Sequence, residues 1–239
     1  MDGTAVKEIQ RLVEKGAQIV DVNGKTFTNG DYHILRHKDK AETLGFKSLS
    51  SIVPILRNEI EKGHFCAPLY IVVEDHRNVA VITALDDEAD RERPYEVQAE
   101  SCGFTFGRYY CYEDFVIALR SMFVQNDGRD QLLAFLKTVS DIEGVEIGDD
   151  GVTQRVTTQS TVSGAKAIPP IQRLAPYRTF TEVMQPESDF LFRVKQGGQF
   201  ALFEADGGAW KHKARARIAE YYTDVLTDLV GEGKVIILN

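Results

Sequence analysis

The segment Asp206-Gly207-Gly208-Ala209-Trp210-Lys211-His212-Lys213-Ala214-Arg215-Ala216-Arg217 sets four Lys/Arg against one Asp, a local charge of about +3. Two glycines ahead of a helix leave amide protons at its positive end, and Lys211, Lys213, Arg215 and Arg217 add cations over the next two turns. Gly207, Gly208 and these side chains together suit a phosphate or a nucleic-acid backbone. Cations in an opening turn oppose the helix dipole by roughly 0.3–1 kcal/mol each, and departures from local rules concentrate at functional sites. The string is neither a P-loop nor a dinucleotide fingerprint. Its structural alternative is that Asp206 caps the helix and fills the anion position itself, with the cations solvated or paired to neighbouring acids.

Arg178 is a second candidate. It follows Pro176 and Tyr177, where a constrained turn aims a guanidinium at a partner's phosphate or at a carboxylate of this chain such as Glu182 or Glu187. The clamp to a carboxylate, holding an irregular loop to a sheet, is the favoured reading, and Trp210 is read as a core anchor rather than a base-stacking ring.

Other chemistry is less well supported. Asp86, Asp87, Glu88, Asp90 and Glu92, diluted by Arg91 and Arg93, invite a Mg²⁺ hypothesis, but a solvated loop between strands accounts for them, and turn chemistry accounts for Asp149-Asp150-Gly151. His33, His37, His64, His76 and His212 are scattered, and no Gly-x-Ser-x-Gly elbow occurs. The aromatic run at 104–112, with Arg108, has the makings of a base-stacking surface, against the commoner alternative of strand packing. No catalytic residue, metal site or cofactor is expected.

The chain has 239 residues, 43% hydrophobic and 27% charged, with 28 Lys/Arg against 36 Asp/Glu and a formal charge of -8. This is a soluble globular composition, enough for one domain or two. The negative balance argues against nonspecific coating of DNA more than against a local anion site. Apolar runs at 69–73 and 235–238 fall far short of the roughly 20 residues of a membrane helix, and the polar start predicts no signal peptide. A cytoplasmic protein without membrane contact is the expectation. Cys66, Cys102 and Cys111 predict reduced thiols without disulfide or zinc.

Hydrophobic spacing predicts helices over 4–15, 51–62, 113–124 and 129–142, and a long C-terminal helix from Gly207 to about Val230. Asn23-Gly24 predicts a hairpin of 18–22 with 25–28. Strands are expected at 69–74, 78–85, 95–100, 152–162, 180–184, 189–195, 199–205 and 234–238, whereas 168–176 is too proline-rich for a regular element. The class is α+β, with mostly antiparallel sheets and packed helices. A shift to Thr, Gln, Gly and Pro beyond Gly144 places a soft boundary near 145–150, between regions 1–145 and 146–239.

The strings Leu174-Ala175-Pro176-Tyr177-Arg178-Thr179-Phe180-Thr181-Glu182-Val183, Gln185-Pro186-Glu187-Ser188 and Phe190-Leu191-Phe192-Arg193-Val194 resemble an uncharacterised phage and prophage family that includes YfdQ, a domain of unknown function. The resemblance continues through 201–211, more loosely through 149–154, and back to 104–123, so it covers most of the chain from about Phe65. It implies a phage or prophage origin and an intracellular setting, and carries over no catalytic residue. The combined expectation is a non-enzymatic, homo-oligomeric phage protein acting near nucleic acid, a replication or recombination accessory. One alternative is an interaction or assembly protein that binds a host or phage partner, for example to inhibit host defence, with the acidic loop at 86–92 as contact. Another is a metal-dependent nucleotide or nucleic-acid enzyme.

Overall fold

The computed structural model describes residues 7, 19–22, 25–28, 41–65, 68–86, 89–100, 103–140, 146–149, 154–158, 166–195 and 198–239. The chain divides into two units, Met1–Glu42 and Thr43–Asn239. In the first, β1 (Ile19–Val22) and β2 (Lys25–Thr28) pair antiparallel with Val22 opposite Lys25, the register that a two-residue Asn-Gly connection predicts. The helix expected at 4–15 lies outside the described residues, apart from Lys7.

The second unit is α+β. It begins with β3 (Leu44–Phe46), a short 3-10 turn (Leu49–Ser51), α1 (Ile52–Glu61), β4 (Leu69–Val73), β5 (Asn78–Ile82) and β6 (Tyr95–Gln98). Next come α2 (Tyr112–Ser121), α3 (Asp127–Ser140), β7 (Glu146–Asp149), β8 (Gln154–Thr158), β9 (Lys166–Ala167) and β10 (Ile171–Leu174). It closes with β11 (Ser188–Lys195), β12 (Gln199–Glu204), α4 (Trp210–Val225), α5 (Thr227–Gly231) and β13 (Val235–Leu238).

A mixed five-stranded sheet has the order β13-β4-β5-β6-β3, with its central pairs antiparallel and both edge strands parallel to their neighbours. Alternation in β4 sends Leu69, Ile71 and Val73 into a core that also receives Ile52 and Leu56 of α1 and Ile218 and Tyr222 of α4. Tyr222 is fully buried with its hydroxyl donating to the Leu49 carbonyl at 3.1 Å, and burial holds the phenol well above its ordinary pKa.

A second core joins α2 and α3 to the antiparallel sheet β10-β11-β12, through Phe115, Leu132, Leu136, Phe190, Phe192 and Phe200. Phe192 and Phe200 face each other across β11 and β12 with ring centroids 6.1 Å apart and 7° between planes. This core draws on residues from both sides of 145–150, so the compositional shift there does not mark its edge. A third antiparallel sheet, β7-β8-β9, lies between the two halves in sequence.

Three elements differ from the periodicity reading. Residues 171–174 form an edge strand: the prolines at 169, 170 and 176 flank it, so no ladder bond needs their missing amides. Residues 180–184 turn instead of extending. The expected long C-terminal helix is divided at Leu226. Thr223 donates to the Ala219 carbonyl and Thr227 to those of Thr223 and Asp224, all at 2.8 Å, and such back-bonding competes with the helical ladder. No helix among the described residues is long and apolar enough to cross a membrane.

The start of α3 is fixed on β10. Asn126 accepts from the Arg129 amide at 2.9 Å and donates to the Arg173 carbonyl at 3.2 Å. In an open helix Gly→Ala gains about 1 kcal/mol, but a Cβ on Gly128 would lie 2.2 Å from the Arg173 carbonyl oxygen. Gly128→Ala is therefore expected to lower the free energy of unfolding by roughly 1–3 kcal/mol in a urea titration, and a gain in stability would contradict this close approach.

Candidate functional site

The irregular loop at 175–187 is wired by one amide. Gln185 is buried; its Oε1 accepts from the amides of Arg178 (3.0 Å) and Thr179 (3.2 Å), and its Nε2 donates to the carbonyls of Phe180 (2.7 Å) and Val183 (3.1 Å). With that geometry the loop sends Phe180 and Val183 into the first core, while the Thr179 hydroxyl donates to the His76 carbonyl at 2.5 Å.

Arg178 is thereby driven into the seam between the cores, where its side chain is only 6% exposed. Its guanidinium lies 3.8 Å from the Trp210 ring centroid, 5.2 Å from Phe190 and 5.6 Å from Phe106. Nη1 donates to Glu204 Oε1 and Nη2 to the Ser188 hydroxyl, each at 2.6 Å. The clamp is present, and its carboxylate is Glu204, which also accepts from Trp210 Nε1 at 3.1 Å. Glu187 is taken by Arg173 and Asn126, both at 3.1 Å, and Glu182 lies by the Ser50 amide. Arg178 and Trp210 thus position α4 and are themselves inaccessible.

At the head of α4, Gly207 and Gly208 adopt φ of 61° and 83°, which their lack of a Cβ permits. The Asp206 carboxylate accepts from the amides of Gly208 (3.0 Å) and Trp210 (3.2 Å). A carboxylate of the chain therefore sits at the helix start, on the Trp210 amide and on the Gly208 amide just ahead of it, and the positive side chains lie beyond it. At about 100° per residue, Lys211 and Arg215 lie on one flank of the buried Trp210, Ala214, Ile218 stripe, and Lys213 and Arg217 on the other. Lys211 and Lys213 are exposed, Arg215 and Arg217 half-buried. Among the described residues none of the four forms an ion pair. Arg217 donates to the Met184 carbonyl at 2.8 Å, and Arg215 Nε is buried without an acceptor among those residues.

The seam also contains one of the five scattered histidines. His76 meets the Trp210 ring edge-on, centroids 4.7 Å apart at 78°. Its turn is set by Asp75, whose carboxylate accepts from the amides of Arg77 (2.6 Å) and Asn78 (2.9 Å) and from the Asn78 side chain (2.8 Å). Burial raises the Asp75 carboxyl, yet those hydrogen bonds leave it below its ordinary range. Burial pushes His76 below its usual 6.5; Lys211, Arg77 and Arg178 push the same way, and Asp75 opposes them.

Elsewhere, Asp86 and Asp90 are tied into their own turn, the Asp90 amide donating to Asp86 Oδ1 at 2.8 Å. Asp87, Glu88, Cys66 and Cys102 lie outside the described residues, and Cys111 accepts from the Asp114 amide at the start of α2. Among the described residues no three His, Cys, Asp or Glu side chains converge on a metal position.

The His76 environment has a pH consequence. Because its folded pKa is depressed, the unfolded chain takes up a proton first as pH falls below 6.5. Stability attributable to His76 is complete above 6.5 and declines toward the folded midpoint, by at most about 1.4 kcal/mol per pH unit. Urea titrations at successive pH values are expected to show the wild type losing stability relative to His76→Phe below pH 6.5; parallel profiles would contradict it.

No family model, curated protein or solved structure matches the chain.

Proposed function

We propose that the chain binds nucleic acid without a chemical step of its own, as a replication or recombination accessory in the phage setting that its motifs suggest, with the first two turns of α4 against the sugar-phosphate backbone. The observation that carries this reading is the absence, among the described residues, of an ion-pair partner for Lys211, Lys213, Arg215 or Arg217. The chain holds 36 acidic residues against 28 basic ones, so internal neutralisation was within reach. Instead, Lys211 with Arg215 and Lys213 with Arg217 stand four apart as like charges, each pair unfavourable by about 0.2–0.5 kcal/mol. A polyanionic partner compensates that disadvantage on binding. Asp206 stays in place as the cap, and Arg178 serves the site by holding Trp210.

Backbone contacts of this kind are read from salt dependence. Each phosphate neutralised adds roughly 0.7–0.9 to the slope of log affinity against log salt. Fluorescence anisotropy with labelled oligonucleotides is expected to show binding at low salt, and Lys211→Ala with Lys213→Ala to reduce the slope by roughly 1–2. Absence of binding at low salt, or an unchanged slope, would contradict it.

A second reading, assembly of copies of the chain, has its own observation. β13 is an uncharged Val-Ile-Ile-Leu strand at the edge of the five-stranded sheet, with Ile236 38% and Leu238 44% exposed. Leu238 also lines an open groove of about 310 Å³ with Tyr70, Val72, Ile82 and Arg91. Edge strands without a charge are templates for pairing. Light scattering after gel filtration is expected to show an oligomer that Ile236→Lys dissociates; a monomeric wild type would contradict this assembly.

A further inference from the structure

The loop at 103–110 runs beside β12 as an added edge. The Gly107 amide donates to the Leu202 carbonyl at 2.8 Å, and Tyr110 and Phe200 exchange both backbone bonds at 2.9 Å. Phe104 and Phe106 go inward, Phe106 stacking on Phe190 with centroids 5.1 Å apart. Tyr109 meets Phe203 on the opposite side of the sheet, at 6.2 Å and 69°.

That outer face is defined by register. Ile171, Leu191 and Phe203 lie side by side across β10, β11 and β12, and the next pairs along are Arg193 with Ala201 and Lys195 with Gln199. Ile171 is 55% exposed, Lys195 is exposed, Tyr109, Leu191, Arg193 and Phe203 are half-buried, and Ala201 is buried; Arg108 lies instead over Tyr110, whose ring stacks on the inward Phe104. The helices α2 and α3 pack on the other side. The face's cations Arg193 and Lys195 form no ion pair among the described residues. The one carboxylate among the face's paired strand positions, Asp189, is at its far end opposite Arg173.

We infer that the outer face of β10-β11-β12 is a platform for single-stranded nucleic acid, with bases stacked on Tyr109 and Phe203 and phosphates held by Arg193 and Lys195. Two adjoining, partly exposed rings on the sheet offer π-faces that any unpaired base fits. Bases within a duplex are stacked on one another and cannot use them. Arg193 and Lys195, without an ion pair among the described residues, supply charge complementarity to the backbone beside the rings. Lys195 Nζ sits 3.9 Å from the Tyr109 centroid; an exposed lysine on a flexible stem that moves to a phosphate frees that ring face for a base. The inference rests on the nucleic-acid reading above but uses none of the residues of α4.

The test is anisotropy of the full chain with a labelled 20-nucleotide oligo-dT (about one to five platform lengths) and with a duplex of equal length. Tyr109→Leu with Phe203→Leu keeps apolar bulk and removes both rings. It is expected to weaken oligo-dT binding roughly ten-fold per ring and to leave duplex binding and salt slopes unchanged. Tyr109→Trp in the wild-type background is expected to retain affinity. Should the double variant fail to fold, Arg193→Gln with Lys195→Gln, on the solvent side, is expected to lower the oligo-dT salt slope by roughly 1–1.5. Wild-type affinity for oligo-dT in the ring variant, or an unchanged slope in the charge variant, overturns the platform and leaves the α4 contact standing. No binding of either nucleic acid by the wild type overturns both, and competition by poly-glutamate as strong as by oligo-dT assigns the face to an acidic protein and overturns the inference.

Discussion

The Arg178 guanidinium, nearly closed off from solvent, is the junction on which the geometry of the second unit depends. A charge removed from water is tolerated only where a counter-charge and hydrogen bonds offset the loss; here Glu204 takes Nη1, Ser188 takes Nη2 and the face of Trp210 covers the guanidinium, while the buried Nε has no acceptor among the described residues. Those three partners belong to β12, β11 and α4. One side chain therefore couples the hairpin of the second core to the helix whose later turns, Ile218 and Tyr222, fill the first core. Gln185 delivers the guanidinium to that place by holding the backbone of the loop from inside.

The junction sets the direction of α4 and, with it, the display of Lys211, Lys213, Arg215 and Arg217. The helix enters the first core with its apolar stripe, so its cations are left along the two flanks. The same hairpin that carries Ser188 and Glu204 turns its other side outward with Arg193, Lys195 and Phe203. Both proposed nucleic-acid contacts thus rest on elements joined by one ion pair, between the buried Arg178 guanidinium and the exposed Glu204 carboxylate, in a chain whose net charge is -8. The sign of the whole is a poor guide to either contact, because Glu204 and Asp206, the carboxylates that lead from β12 into α4, are engaged internally by Arg178, by Trp210 and by the Gly208 amide.

Local features were legible in the amino-acid sequence. The alternation of Leu69, Ile71 and Val73, the Gln199–Glu204 hairpin partner and the helical spacing of Leu132 and Leu136 each reflect one buried face. Long-range pairing was not: nothing local in Val235–Leu238 or Leu44–Phe46 indicates that they lie parallel to β4 and β6. The division at Leu226 escaped periodicity because Leu226 and Leu229 keep the apolar rhythm while threonine hydroxyls compete for the carbonyls. Phe180 and Val183 suggested a strand, yet a buried amide two residues beyond Val183 folds them into a turn.

The site divides in the same way. The charge run of α4 and the capping role open to Asp206 could be read directly, as could a clamp at Arg178, but its partner lies 26 residues on and was fixed only by the hairpin register. His76 gave no signal of its own. The aromatic run with Arg108 pointed to stacking, whereas Arg193, Lys195 and Phe203 joined it only once cross-strand neighbours were known.

Photo-cross-linking of the full chain to a bromouracil-substituted single strand, with the modified peptides mapped by mass spectrometry, tests most directly that this protein binds unpaired nucleic acid on a built surface. Adducts at Tyr109 or Phe203, lost in high salt, are the expected result. No adducts at low salt, or adducts confined to peptides outside 104–112 and 189–217, would contradict it.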